Sequence, residues 1–466
     1  NRPWRSGYNI PLYETVPAPV AMSAFARFEK AVEKHCPDPF VFAVILTLFL
    51  LVLVALLTDT TVGQSIKGWG DGLHGLLAFM TQMTLVIVTA HVLAHTRAVS
   101  GLLRALGRVP RTPVQAYCFV VLCAAAFSLV CWPLGPIAGG LVARQVAIRA
   151  RAEGMAVHYP LLAAGAFGGF VVWQMGYSST IALAVATPGN PLESLLGGVV
   201  PVAETLLIWP SLLTIATTLS VVIATVLLLR PAQAEPIADS DVDVVPVDVQ
   251  KEDVRPGLMG RLESGRVIST VLSLLLFAYL GHWFMTRGFD LSLNVVNWSF
   301  LALGLLLANS ARHYAELFSD GARAGAAVLL QYPLYGGIMG LMMSSGLTQQ
   351  FSDAIIALSG PGSLPFFGFF SAGLINLFIP SGGAQWAVQG PIFIDAAQQM
   401  GVDTTVITLS IAWGDQWTNL IQPFCSIPLL IVTGLKLRQM YGYLMALCLA
   451  TAIPFCLGLY LAQSAA

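Results

Sequence analysis

Apolar residues in this chain come in long runs with little internal periodicity, set apart by short polar stretches. Residues 40–57 form the cleanest run, long enough to cross a bilayer as a helix. Residues 58–71 are polar and are expected to form a loop, with a second span over about 73–95. Residues 114–131 are apolar until Trp132-Pro133-Leu134-Gly135-Pro136 interrupts. Residues 137–150 resume the run but carry Arg144 and Arg149. The next run, 161–185, is broken over 173–180 and followed by Pro188-Gly189-Asn190-Pro191; a further run covers 202–229. Later runs lie at about 267–284, 293–307, 324–343, 364–379, 404–432 and 442–461. Three segments pattern differently. Residues 23–34, 97–109 and 347–358 mix charged or polar positions with apolar ones at helical spacing, as helices lying on a membrane surface do. Together these elements predict an all-α polytopic membrane protein.

Two interruptions stand out. The run ending at Ile379 breaks at Pro380-Ser381-Gly382-Gly383 and restarts as a helix, and the run from 404 is expected to break over 413–419. Backbone groups freed by Pro and Gly at membrane depth are tolerated only within protein or around a watered cavity. Paired breaks of this kind mark transporter binding sites in sequence. The first half echoes them. Pro133 matches Pro380, Gly135 matches Gly382, Trp173 matches Trp413 and Pro188 matches Pro428. Each half then runs span, span, surface helix, hairpin, broken span, last span. With an odd number of spans between them, the halves form two inverted-topology repeats, each with a re-entrant hairpin and a broken transmembrane helix.

Charge orients the spans. With 114–151 and 364–400 drawn as hairpins, nine spans remain. All of the 23 Lys and Arg except Lys67 and Arg287 then face one side. The positive-inside rule makes that side cytoplasmic, with the N-terminus inside and the C-terminus outside; full spans in place of the hairpins give the same sidedness. The chain divides into a tail and surface helix (1–39), a first repeat (40–230), an acidic linker (231–265) and a second repeat (266–466). The linker is read as solvated and mostly disordered. Met22 could be a natural start, and no apolar stretch with a cleavage site argues for a removed signal peptide.

Composition agrees. Charged residues make up 10% of the 466, hydrophobic ones 56%, and mean hydropathy is +0.75, whereas soluble domains carry about a quarter charged residues. A net charge of −1 offers nothing to nucleic acid. The seven cysteines lack metal or disulfide spacing, and no phosphate loop or nucleophile elbow is present, so neither ATP drive nor enzyme chemistry is indicated.

Candidate site residues follow from the breaks. Pro380, Ser381, Gly382, Gly383 and Gln385 would offer backbone N–H groups and side-chain donors to an anion at a helix start; a structural kink is the plainer alternative. Trp132, Gly135, Ser178 and Ser179 are the first-half counterparts. Asp415, with Gln416 and Asn419, could carry a coupling proton or ligate Na⁺, or could simply be a carboxylate satisfied by neighbouring amides. Arg144 reads as a snorkelling residue and His91 as a packed one. No cofactor or fixed metal is expected beyond a coupling H⁺ or Na⁺.

Six segments carry a resemblance to a known family: Pro37-Asp38-Pro39-Phe40, Trp69-Gly70-Asp71-Gly72, Ile87-Val88-Thr89-Ala90-His91, Ala186-Thr187-Pro188-Gly189-Asn190-Pro191, Pro380-Ser381-Gly382-Gly383 and Gln416-Trp417. From about Phe25 onward the chain resembles the bacterial short-chain fatty acid transporters of the ion-transporter superfamily. The resemblance implies ion-coupled uptake of small monocarboxylates such as acetoacetate or butyrate across the inner membrane. The superfamily implies two re-entrant hairpins, elevator-like alternating access and a homodimer. The chain departs from the family pattern at Gln385, where the family has His, at Asp415, where it has Glu, and at Cys131, where it has Asn. On the residues alone, a di- or tricarboxylate carrier coupled to Na⁺ and a passive organic-anion facilitator remain open.

Overall fold

The computed structural model describes residues 24–190, 192–238, 257–288 and 292–465. Its helices are α1 (Ala24–His35), α2 (Pro39–Leu57), α3 (Val62–Gly72), α4 (Leu77–His95), α5 (Arg97–Gly107), α6 (Pro113–Val130) and α7 (Leu134–Ala152). After these come α8 (Tyr159–Phe170), α9 (Thr180–Ala186), α10 (Glu193–Leu196), α11 (Val202–Thr205), α12 (Trp209–Leu228) and α13 (Leu258–Ser264). The rest are α14 (Val267–Arg287), α15 (Leu293–Leu307), α16 (Ala311–Ser344), α17 (Leu347–Ala357), α18 (Leu364–Asn376), α19 (Gly382–Met400), α20 (Thr404–Thr418), α21 (Pro423–Thr433) and α22 (Leu437–Ala465). No strand occurs among the described residues. Among the described residues, eight segments are long and apolar enough to cross a membrane, which makes this a multi-pass membrane protein. Pro113–Val130 is one of them, while α15, α18 and α21 are shorter apolar helices.

Two apolar clusters organise the molecule. The larger draws on α6, α7, α8, α12, α18, α19, α20 and α22. The smaller is built from α2, α4 and α16, together with Cys131, Ile375, Phe378, Ile379 and Phe424. Those last five residues sit at or beside breaks in the helices. The breaks are therefore the seam between the clusters.

Several sequence expectations are corrected. The polar stretch read as a loop contains α3, started by a reciprocal cap between Thr61 and Gln64. Two of its glycines, Gly68 and Gly72, are packing surfaces. A methyl on Gly72 would lie 2.9 Å from the Gly340 Cα, so α3 and α16 lie backbone to backbone. Residues 413–418, read as a break, continue α20 without interruption. Gly414 serves close packing instead, since a Cβ there would strike the Phe369 carbonyl. The break falls at residues 419–422, where Pro423 opens the next helix. The run over 202–229 is likewise interrupted, as α11 and α12.

The start of the linker is ordered. Its first residues, 231–238, dock on the larger cluster: Ile237 is buried, Arg151 donates to the Ile237 carbonyl at 2.8 Å, and the Tyr159 N–H donates to the Glu235 carbonyl at 2.8 Å. The acidic run 239–253 lies outside the described residues. Helix α1 docks too. Phe25 packs on Tyr443 with ring centroids 5.6 Å apart, and Glu29 lies against Gly442.

Candidate functional site

Four breaks meet at the seam. In the first half α6 ends at Val130 and α7 starts at Leu134, and α8 gives way to a single 3₁₀ turn, Trp173–Met175, before α9. In the second half α18 ends at Asn376 before α19, and α20 ends at Thr418 before α21. Each is placed by Pro, Gly or an amide that local helix geometry cannot absorb. Between them lies a cavity of about 270 Å³.

The cavity has two kinds of wall. Thr180, Ser381, Gly382, Gly383, Asp415, Asn419 and Gln82 supply the polar part. Phe79, Met83, Trp132, Phe170, Trp173, Leu293, Tyr332 and Phe424 supply most of the apolar part. Phe79 stacks on Trp132 at 5.9 Å and on Tyr332 at 5.8 Å, and Tyr332 stacks on Phe424 at 4.0 Å, which ties the two clusters together. Among the described residues, no Lys, Arg or His lines the cavity.

Helix α19 starts at its edge. Ser381 occupies the cap position, but its hydroxyl makes no capping bond. The first intrahelical bond there runs from the Gln385 N–H to the Ser381 carbonyl at 2.8 Å, so the N–H groups ahead of it are left to the cavity side. Gly382 is needed for contact. A Cβ would meet Gln174 and Thr180 and lie 3.0 Å from Asp415 Oδ2.

Gln174 is the hub beneath Asp415. Its Nε2 donates to Asp415 Oδ2 at 2.8 Å and to Thr180 Oγ1 at 3.0 Å. Its Oε1 accepts from the Ser179 hydroxyl at 2.8 Å, and its backbone N–H donates to Gln416 Oε1 at 2.7 Å. Asp415 is 1% exposed, and this is its one hydrogen bond among the described residues. Thr180 Oγ1 accepts, so its own hydrogen is available to the cavity.

The sequence-derived candidates divide into two groups. Trp132, Pro380, Ser381, Gly382, Gly383, Asp415 and Asn419 line the cavity. Gln385, Gly135, Ser178, Ser179 and Gln416 stand behind it. Gln385 turns its amide inward, to the Ala372 carbonyl at 2.9 Å and to Gln389 at 3.1 Å. Gly135 packs against Ser128, and Ser178 accepts from the Trp132 N–H at 2.8 Å. Sequence reasoning misses Phe79, Gln82, Met83, Tyr332 and Phe424. Phe79, Gln82, Met83 and Tyr332 sit in runs with no local break, and Phe424 is one apolar residue just past the break at 419–422, so only the fold brings them here.

A helical multi-pass protein with a polar-floored cavity at broken helices has the form of a membrane transporter. The profile described as short chain fatty acid transporter matches residues 21–462, and the chain belongs to that family. It is 37% identical over 437 residues to an Escherichia coli K12 protein, covering 92% of this chain and 97% of that one. It is 33% identical over 451 residues to a Haemophilus influenzae protein, covering 94% and 99%. Both relatives carry the assigned name of short-chain fatty acid transporter. Among solved structures, the YdaH transporter of Alcanivorax borkumensis aligns over 92% of this chain and 98% of its own, at 19% identity and a TM-score of 0.43. MtrF of Neisseria gonorrhoeae aligns over 92% and 97%, at 16% identity and 0.38. Scores this low establish no shared fold.

Proposed function

We propose that the chain is a secondary active symporter that moves short monocarboxylates such as butyrate or acetoacetate across a bacterial inner membrane. The observation that carries this reading is the pairing of the α19 N-terminus with Asp415 in one cavity lined by no basic side chain among the described residues. A helix N-terminus favours an anion. A substrate carboxylate there would share a buried space with a second carboxylate. In such a space one of the two charges has to be cancelled, by a proton on Asp415 or by Na⁺ beside it. That requirement is coupling. Both neighbouring amide oxygens are already engaged, Gln416 Oε1 by the Gln174 N–H and Asn419 Oδ1 by Asn376 and Cys425. A proton therefore fits better than Na⁺.

The aromatic wall suits a short alkyl tail. A lining without a basic group argues against di- and tricarboxylates, which would bring further charge into the site. The matched breaks of the two halves support reading 40–230 and 266–466 as inverted repeats around this cavity.

The test is uptake of radiolabelled butyrate into proteoliposomes, with pH and Na⁺ gradients imposed separately. Uphill accumulation with the pH gradient is expected, and Asp415→Asn should abolish it at normal expression. Accumulation by Asp415→Asn would remove that residue from the mechanism. Succinate uptake without butyrate uptake would remove the monocarboxylate reading.

A further inference from the structure

Asn376 lies outside the cavity, yet the hydrogen bonds around it fix what the cavity presents. The chain of constraint starts at a backbone carbonyl. Thr418 Oγ1 lies 2.9 Å from the Gly373 carbonyl, which can only accept, so the single Thr418 hydrogen points there. Thr418 Oγ1 must then accept from its other neighbour, Asn376, at 2.9 Å. That places the amide nitrogen of Asn376, not its oxygen, on this side. The second hydrogen of that nitrogen goes to Asn419 Oδ1 at 2.8 Å. The Cys425 thiol also donates to Asn419 Oδ1, at 3.3 Å.

The oxygen of Asn419 thus holds two donors, and its amide nitrogen is left facing the cavity that Asn419 lines. Asn376 meets the cost of this arrangement. It is fully buried, and its own Oδ1 has no partner among the described residues. An orphaned buried carbonyl is destabilising. The orientation is therefore held at the expense of stability.

We propose that Asn376 is a positioning residue that locks the Asn419 carboxamide with its N–H₂ toward the substrate, making Asn419 a donor to the substrate carboxylate rather than a ligand of the coupling ion. This rests on the reading of the cavity as a monocarboxylate site. An oriented neutral donor distinguishes a carboxylate, which only accepts, from the matching amide, which presents hydrogens of its own.

The experiment measures the half-saturation constant for butyrate and the inhibition constant of butyramide, in proteoliposomes of the full chain. Asn376→Leu removes the lock without adding charge. It should weaken butyrate against butyramide by about tenfold, the scale of one hydrogen bond to a charged group. Cys425→Ala leaves Asn376 in place and should shift the ratio by roughly threefold; it carries the test if Asn376→Leu cannot be recovered. A general packing defect would lower maximal uptake and leave the ratio alone. An unchanged ratio in a protein that takes up butyrate overturns this inference only. Failure of the unmodified chain to take up butyrate overturns it together with the proposed function.

Discussion

Gly382 shows how far one atom reaches. Its missing Cβ lets the start of α19 approach Gln174, Thr180 and Asp415 at once. Gly382→Ala should cut butyrate uptake to below about a tenth, since the added methyl must push the helix start off the polar floor. Uptake at the unmodified rate would show that this approach is not needed. Pro380 and the paired glycines are legible in the sequence because they oppose a helix in any context. Asn376 is not. It is one amide in an apolar run, and both its partners lie more than forty residues away. No local pattern encodes the direction in which it points.

The same contrast holds for elements. Three of the four breaks are readable from Pro, Gly and polar clusters. The fourth reads some residues early in the sequence, because Gly414 mimics a break while serving as a contact surface. Helix α3 escapes a sequence reading because Gly63, Gly68, Gly70 and Gly72 make it look like a loop. Only its partner gives Gly68 and Gly72 a purpose. A methyl on Gly340 would sit 2.6 Å from both the Gly68 carbonyl and the Gly72 Cα. Gly340→Ala should therefore lower the melting temperature in detergent, at a cost of about 1–3 kcal/mol. A methyl added at Gly63 would meet nothing within 4 Å, so Gly63→Ala should be neutral or stabilising by up to about 1 kcal/mol. Equal losses from both substitutions would refute the close contact of α3 with α16.

At the scale of the molecule, His158 ties the start of the linker to the larger cluster. Its Nδ1 accepts from the Glu235 N–H at 3.0 Å, so its Nε2 carries the hydrogen and donates to the Tyr443 hydroxyl at 3.1 Å. Burial pushes its pKa down from 6.5 to about 4. A histidine held neutral contributes stability that is full above its unfolded pKa, and this is lost as pH falls from about 6.5 toward 4. Between pH 7 and pH 5 the loss is on the order of 2 kcal/mol. The melting temperature of the unmodified chain should fall more over that range than that of His158→Gln. Parallel pH profiles would show that the histidine is not the group responsible. The breaks, the helical class and the family are visible in composition and motif, whereas this strap reads as linker because residues 231–238 hold two prolines and no apolar run. Its order comes from Arg151, Tyr159 and His158, all supplied by the other side of the contact.

A cavity lined by no basic side chain among the described residues has a kinetic consequence. Sites that draw anions in by charge lose capture rate steeply as ionic strength rises. Dipoles at a helix start and neutral amides act only at contact distance. Raising choline chloride from about 10 mM to about 200 mM shortens the Debye length from roughly 30 Å to under 8 Å. That change should leave the butyrate half-saturation constant within about twofold, where a charge-steered site would shift by about tenfold or more. A site that does not reach into bulk solution for its substrate also has no long-range field to hold it back, so release should be as indifferent to salt as capture.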